Sequence, residues 1–109
     1  MAVCRVEDAS RFGTVKVDRH NRVIGFGEKT GGRVPGLVNA GVYIFNRDVL
    51  KHIPEGPWSL ERQVFPEMLE NGVYAVEQRG MFIDIGTPEE YERARLFLQA
   101  TPFEDVPRS

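Results

Sequence analysis

The chain has 109 residues, 41% of them apolar and 28% charged, with a formal net charge of −2. That length suits one domain with one modest core and is too short for two. The charges are spread without a Lys/Arg run, which argues against nucleic acid or an anionic membrane surface as the main partner. Cys4 is the single cysteine, so an intrachain disulfide and a cysteine zinc cluster are excluded, and a reducing cytoplasm fits best. No apolar run approaches the length of a membrane span, and the first residues lack a signal-peptide pattern.

In chain order, Ala2 to Glu7 and Phe12 to Asp18 are short Val- and Phe-rich runs separated by the turn-forming Asp8-Ala9-Ser10, and they predict two strands. Arg22 to Glu28 resumes the pattern after Arg19-His20-Asn21, which predicts an antiparallel hairpin closed near Asn21. Thr30 to Gly36 is a loop by composition. Leu37 to Asn46 is apolar nearly throughout, as expected of a strand at the centre of a sheet and covered on both faces.

Arg47 to Ile53 predicts a short helix stopped by Pro54. Ser59 is placed to cap a second, whose Leu60, Val64, Phe65, Met68 and Leu69 recur at helical spacing. Pro66 inside it lacks an N–H and predicts a kink. Val73 to Gln78 alternates as an edge strand and Met81 to Ile85 reads as another. Thr87, Pro88 and Glu90 then form a capping-box start for a last helix running to about Ala100. Tyr91, Ala94 and Leu98 would make its apolar face, and the tail 101–109 is polar, Pro-interrupted and loose. Strands followed by mixed helices and strands define a single α/β or α+β domain.

Few residues stand out for chemistry. Gly25 to Gly32 superficially suggests a phosphate loop, but Glu28 precedes Lys29 and no helix follows, so the motif fails. What remains is an acid beside a base at a strand end. Asn39, within an apolar strand, needs hydrogen-bond partners: it either braces a neighbouring loop or presents its amide to a ligand hydroxyl. Asp84 ends a strand on the face opposite Ile83 and Ile85, where a metal could sit. His20 and His52 have no acid and nucleophile pattern beside them.

Five segments, in order and spacing, carry a family likeness: Asp8-Ala9-Ser10-Arg11-Phe12-Gly13-Thr14-Val15; Ile24-Gly25-Phe26-Gly27-Glu28-Lys29; Val38-Asn39-Ala40-Gly41-Val42-Tyr43-Ile44-Phe45; Ser59-Leu60-Glu61; and Phe82 to Tyr91. Together they resemble the C-terminal half of sugar-1-phosphate nucleotidyltransferases, closest to guanylyltransferases acting on mannose- or heptose-1-phosphate. The resemblance implies an α/β fold, a mixed sheet with flanking helices, without the N-terminal Rossmann-like half. It also implies a reaction in which a sugar phosphate attacks a nucleoside triphosphate, giving a nucleotide sugar and pyrophosphate with Mg²⁺.

By the same resemblance, Asp84 matches a metal-binding aspartate. Glu28 and Lys29 match the pair holding the sugar hydroxyls and the sugar's phosphate. Gly13 matches a backbone contact to the sugar, Asn39 and Gly41 the floor of the sugar pocket, and Phe82 a nearby aromatic. The family's nucleotide loop, catalytic lysine and first metal aspartate have no counterpart in these 109 residues. The expectation is therefore a sugar-phosphate-binding part over 1–100 that is not catalytic alone, with sugar-1-phosphate and nucleoside triphosphate as partners. The alternative is a non-catalytic homo-oligomeric structural or binding module that self-associates through apolar surface left uncovered.

Overall fold

The computed structural model describes residues 1–27 and 32–100. Five strands, β1 (Ala2–Val6), β2 (Thr14–Val17), β3 (Val23–Gly27), β4 (Gly36–Asn39) and β5 (Val76–Gln78), form one mixed sheet in the order β3-β2-β4-β1-β5. All pairings are antiparallel except β1 with β5. The first three strands fall where the Val- and Phe-rich runs predict them. β2 and β3 meet at the predicted hairpin, where Asn21 takes φ +62°, a left-handed turn conformation that Asn tolerates better than most residues.

The core is small and made largely of β-branched residues. Val3, Val15, Val23, Leu37 and Ala75 are buried together, with Met1, Val17, Phe26, Leu69 and Val73 packed around them. Ala75 belongs to a stretch that ties the sheet together. Val23 donates its N–H to the Val73 carbonyl at 2.7 Å and Ala75 donates to Asn21 at 2.8 Å, while Val76 donates to Met1 at 2.9 Å. Residues 73–78 thus run from the start of β3 to β1, joining the two sides of the sheet at one end.

The apolar run Leu37 to Asn46 does not persist as one strand. β4 stops at Asn39, whose Oδ1 accepts the Gly41 N–H at 2.8 Å, and Gly41 takes φ +77°. A short polar side chain bonding its own backbone two residues on competes with the ladder, and here it wins although Ala2 still bonds Ala40 and Val42. Met81 to Ile85 likewise lacks regular strand structure.

The predicted second helix is present in three pieces: a wide π-type turn (Leu60–Val64), one turn of α-helix, α1 (Phe65–Met68), and a 3₁₀ turn (Leu69–Asn71). Pro66 explains the break. With no N–H and a ring that collides with the carbonyl four residues earlier, it is accommodated by widening the preceding turn, where Phe65 donates to the Leu60 carbonyl, and not by a simple kink. Phe65 is 1% exposed and gathers the rings of Phe26, Tyr43 and Phe45, with centroids 6.4, 5.0 and 6.1 Å away.

The last helix, α2 (Pro88–Ala100), starts as predicted: Thr87 Oγ1 accepts the Glu90 N–H at 3.2 Å. Glu90 does not close the capping box. Its carboxylate instead meets Arg93 at 2.8 Å and Arg11 at 3.6 Å. Of the expected apolar face, Tyr91 and Leu98 are exposed, and α2 holds no buried residue. No helix among the described residues is long and apolar enough to cross a membrane. The expected loose tail lies beyond residue 100, outside the described residues.

The hairpin turn makes a testable contribution. Asp18 Oδ1 accepts the N–H of His20 at 2.8 Å and of Arg22 at 3.0 Å, and the Arg22 bond, then the His20 bond, hold its carboxyl below the usual carboxylate range. A depressed folded-state pKa stabilises above the unfolded value, about 4, and that contribution is lost as pH falls through the folded value. Asp18→Ala should therefore melt earlier than the parent at pH 7 in a thermal scan monitored by circular dichroism, and the gap should narrow below about pH 4.

Candidate functional site

Three interruptions of regular structure open onto one cleft. The first is the turn before β2, where Asp8 Oδ1 accepts both the Ser10 hydroxyl at 2.6 Å and the Ser10 N–H at 3.0 Å. These bonds lower the Asp8 pKa, the hydroxyl bond contributing most. They fix the approach to Arg11, Phe12 and Gly13. The second is the end of β4, where Asn39 accepts from Gly41 and donates Nδ2–H to the Tyr43 hydroxyl at 2.6 Å. The third is the segment before α2, where Asp84 Oδ1 accepts the Gly86 N–H at 3.2 Å.

The cavity between them has a volume of about 470 Å³, within the range of small-molecule sites. Gly13, Asn39, Gly41, Phe82 and Asp84, five of the residues expected to bind substrate or metal, all line it. Phe82 packs edge-on against Phe12 at 5.8 Å. Phe82, Ile83, Asp84 and Ile85 line the cavity in succession, which the two-face alternation of a strand would not allow and the irregular backbone does. Asn39 lies at the strand's end and is half-buried, and its bonds to Gly41 and Tyr43 make it a brace of the loop. Glu28 and Lys29 lie outside the described residues.

An adjoining cavity of about 640 Å³ shares Gly13, Asn39 and Glu61 with the first and extends to Thr14, Gly27 and Arg62. A Cβ at Gly27 would collide with the Thr14 hydroxyl, which would have to turn away. Glu61 and Arg62, both on the π-type turn, are charged cleft residues to which the sequence reading gave no role. The available signal was Ser59-Leu60-Glu61 followed by Pro66, since a proline seven residues past the cap of a helix foretells a local rearrangement.

The donor chemistry bears on a divalent ion. Mg²⁺ is commonly held by one or two carboxylates, several waters and substrate phosphates. Asp84, an exposed carboxylate oriented by Gly86, fits that role. No group of three or more His, Cys, Asp or Glu that could hold an ion exists among the described residues, so the residues suit an ion arriving with phosphate ligands better than a closed protein cage.

The fold is that of nucleotidyltransferases. The structure is similar to that of HddC from Yersinia pseudotuberculosis complexed with GMP-PN, with a TM-score of 0.73 and 31% identity over 89% of this chain and 43% of that one. A putative glucose-1-phosphate thymidylyltransferase from Bacillus anthracis shares the fold with a TM-score of 0.71 at 23% identity, over 94% of this chain and 44% of that one. Residues 1–101 match the Nucleotidyl transferase family, and the chain belongs to it.

Among curated relatives, the mannose-1-phosphate guanylyltransferase catalytic subunit beta of Drosophila melanogaster is 39% identical over 92 residues, 84% of this chain and 25% of that protein. The mannose-1-phosphate guanylyltransferase of Mycobacterium tuberculosis is 39% identical over 97 residues, 85% and 27% respectively. The chain thus spans about a quarter of the length of these relatives.

The Asn39–Gly41 turn can be tested by stability alone. Asn39→Ala removes two bonds from a half-buried site and should cost about 1 to 2 kcal/mol. Gly41→Ala forces a Cβ into positive φ and should cost about 1 kcal/mol. Both should lower the urea midpoint while leaving the slope of the transition unchanged.

Proposed function

We propose that this chain is the C-terminal, sugar-1-phosphate-binding portion of a sugar-1-phosphate guanylyltransferase and is not catalytic by itself. The observation that carries the reading is the convergence of Gly13, Asn39, Gly41, Phe82 and Asp84, which are far apart in sequence, on one cleft. The names of the curated relatives support a mannose-1-phosphate-like substrate and a guanine nucleotide, and the GMP-PN complex of HddC supports the latter. In this role Phe82 and the Asn39–Gly41 turn form the wall and floor against the sugar ring, with Glu28 and Lys29 taking its hydroxyls and phosphate. Asp84 would hold Mg²⁺ together with phosphate oxygens, and the ion would supply charge neutralisation between two anionic reactants.

Family members are matched over less than half of the solved chains, which supports assigning the nucleotide-binding groups to polypeptide outside residues 1–101. The cytoplasm, where nucleoside triphosphates are made, is the compartment this reading implies. A second reading, self-association, is favoured by one surface. Ile44 is 95% exposed and Tyr74 is also exposed, and both border a groove of about 390 Å³ lined by Tyr43, Phe45, Val49, Met68 and Val73. Exposed apolar area of this kind favours covering by another protein surface.

With Mg²⁺, GTP and mannose-1-phosphate, the isolated chain should release no pyrophosphate above background in a coupled phosphate assay. Turnover that Asp84→Ala abolishes would overturn the non-catalytic reading. Calorimetry should register binding of mannose-1-phosphate at millimolar concentration, and no heat with any hexose phosphate would remove the binding role. In sedimentation velocity the chain should shift to larger species with concentration, and Ile44→Glu should suppress the shift. A monodisperse monomer at the highest concentration would dispose of self-association.

A further inference from the structure

Arg62 is a cation placed for a ligand. It lines the 640 Å³ cavity together with Glu61, Gly13, Thr14 and Gly27. Its guanidinium has no hydrogen-bond or ion-pair partner among the described residues. Other arginines are engaged: Arg11 meets Glu90 at 3.6 Å, and Arg22 donates to the carbonyls of Leu69 and Glu70 at 3.2 Å. Arg47 and Arg79 also lack a partner among the described residues, but neither lines a described cavity.

The backbone beneath Arg62 is fixed from three directions. Its N–H donates to Ser59 Oγ at 3.2 Å, and the Ser59 N–H in turn donates to Gln63 Oε1 at 2.8 Å. Three residues on, Phe65 is sunk in the aromatic cluster. The π-type turn that Pro66 enforces lies between these anchors and puts Glu61 and Arg62, adjacent in sequence, on the wall of the same cavity. Local π-type widening of a helix is commonly found at functional sites.

From this geometry we infer that Arg62 is a second phosphate anchor of the cleft, its planar guanidinium gripping the phosphoryl oxygens of a sugar phosphate beside the contact proposed above for Lys29. A guanidinium offers parallel N–H donors that match a phosphate bidentately, stays charged throughout the physiological range and gives up little hydration. The glycine at position 27, on the same cavity, contributes no side chain to fill it. The inference rests on the sugar-phosphate reading of the cleft and adds a further residue by which the cleft selects a phosphorylated sugar.

Titration of the isotope-labelled chain by NMR, with mannose-1-phosphate and separately with inorganic phosphate, tests it. R62Q should weaken mannose-1-phosphate by about tenfold or more and weaken competition by inorganic phosphate to a similar degree. R62K should regain only part of the loss, because an ammonium binds phosphate as a point charge without the fork. Amide spectra and melting temperature should match the parent in both variants, since the side chain is exposed. Unchanged affinity in R62Q, with the parent still binding, overturns this inference and leaves the sugar-phosphate reading standing. Equal binding by R62K and the parent overturns the bidentate grip, and no binding by the parent overturns both readings.

Discussion

The short run Val73–Gln78 holds the domain together. A sheet of five short strands has two edges, and this segment ties both at one end: its first residues bond the start of β3, and its last three form β5 beside β1. Arg5 and Glu77 add a surface pair across the β1–β5 seam at 3.0 Å, worth little beside the ladder itself. The benefit of the closure lies beneath it, where Val3, Val23 and Ala75, contributed by three separate strands or segments, are buried together. With so few buried side chains, burial of each is a large share of what stabilises the domain. The seam and the core are therefore not separable: opening one uncovers the other.

The cleft inherits its shape from that sheet but its chemistry from the places where regular structure stops. β1 pairs with β4 in a register that sets Val3 against Asn39, so the closed core fixes the point at which β4 ends and the Asn39–Gly41 turn begins. β2 pairs with β3 so that Thr14 lies against Gly27, which forms the opposite wall. The π-type turn and the Asp84–Gly86 turn supply the charged residues. A rigid sheet that presents its functional groups on turns and strand ends is a general division of labour, and each turn here is held by a side-chain-to-backbone bond that needs no larger packing.

Much of this organisation was legible in the residues. The hairpin at Asn21, the start of α2 at Thr87 and the gathering of Gly13, Asn39, Gly41, Phe82 and Asp84 follow from turn chemistry, capping and the five family-like segments. What escaped has a common physical cause. Apolar patterning reports which residues prefer burial, and it cannot register a local polar bond that competes with the ladder. Asn39 therefore cut a long apolar run in two, and Asp84 bent a segment that alternates like a strand. Burial preference also misled at α2 and at Ile44, where apolar side chains remain exposed. Glu61 and Arg62 were hidden for a different reason: on a regular helix a charged pair is ordinarily solvent-facing, and only the widening before Pro66 distinguishes this one.

Phe65 has a consequence beyond its own burial. The same ring lines both the cavity that holds Arg62 and the apolar groove beside Tyr43 and Met68, so it is the partition between two otherwise separate spaces. A close-packed ring cannot yield to one side without encroaching on the other. The volumes of the two spaces are thus traded against each other through a single side chain, and whatever comes to fill the outer groove will also set how much room the inner one has.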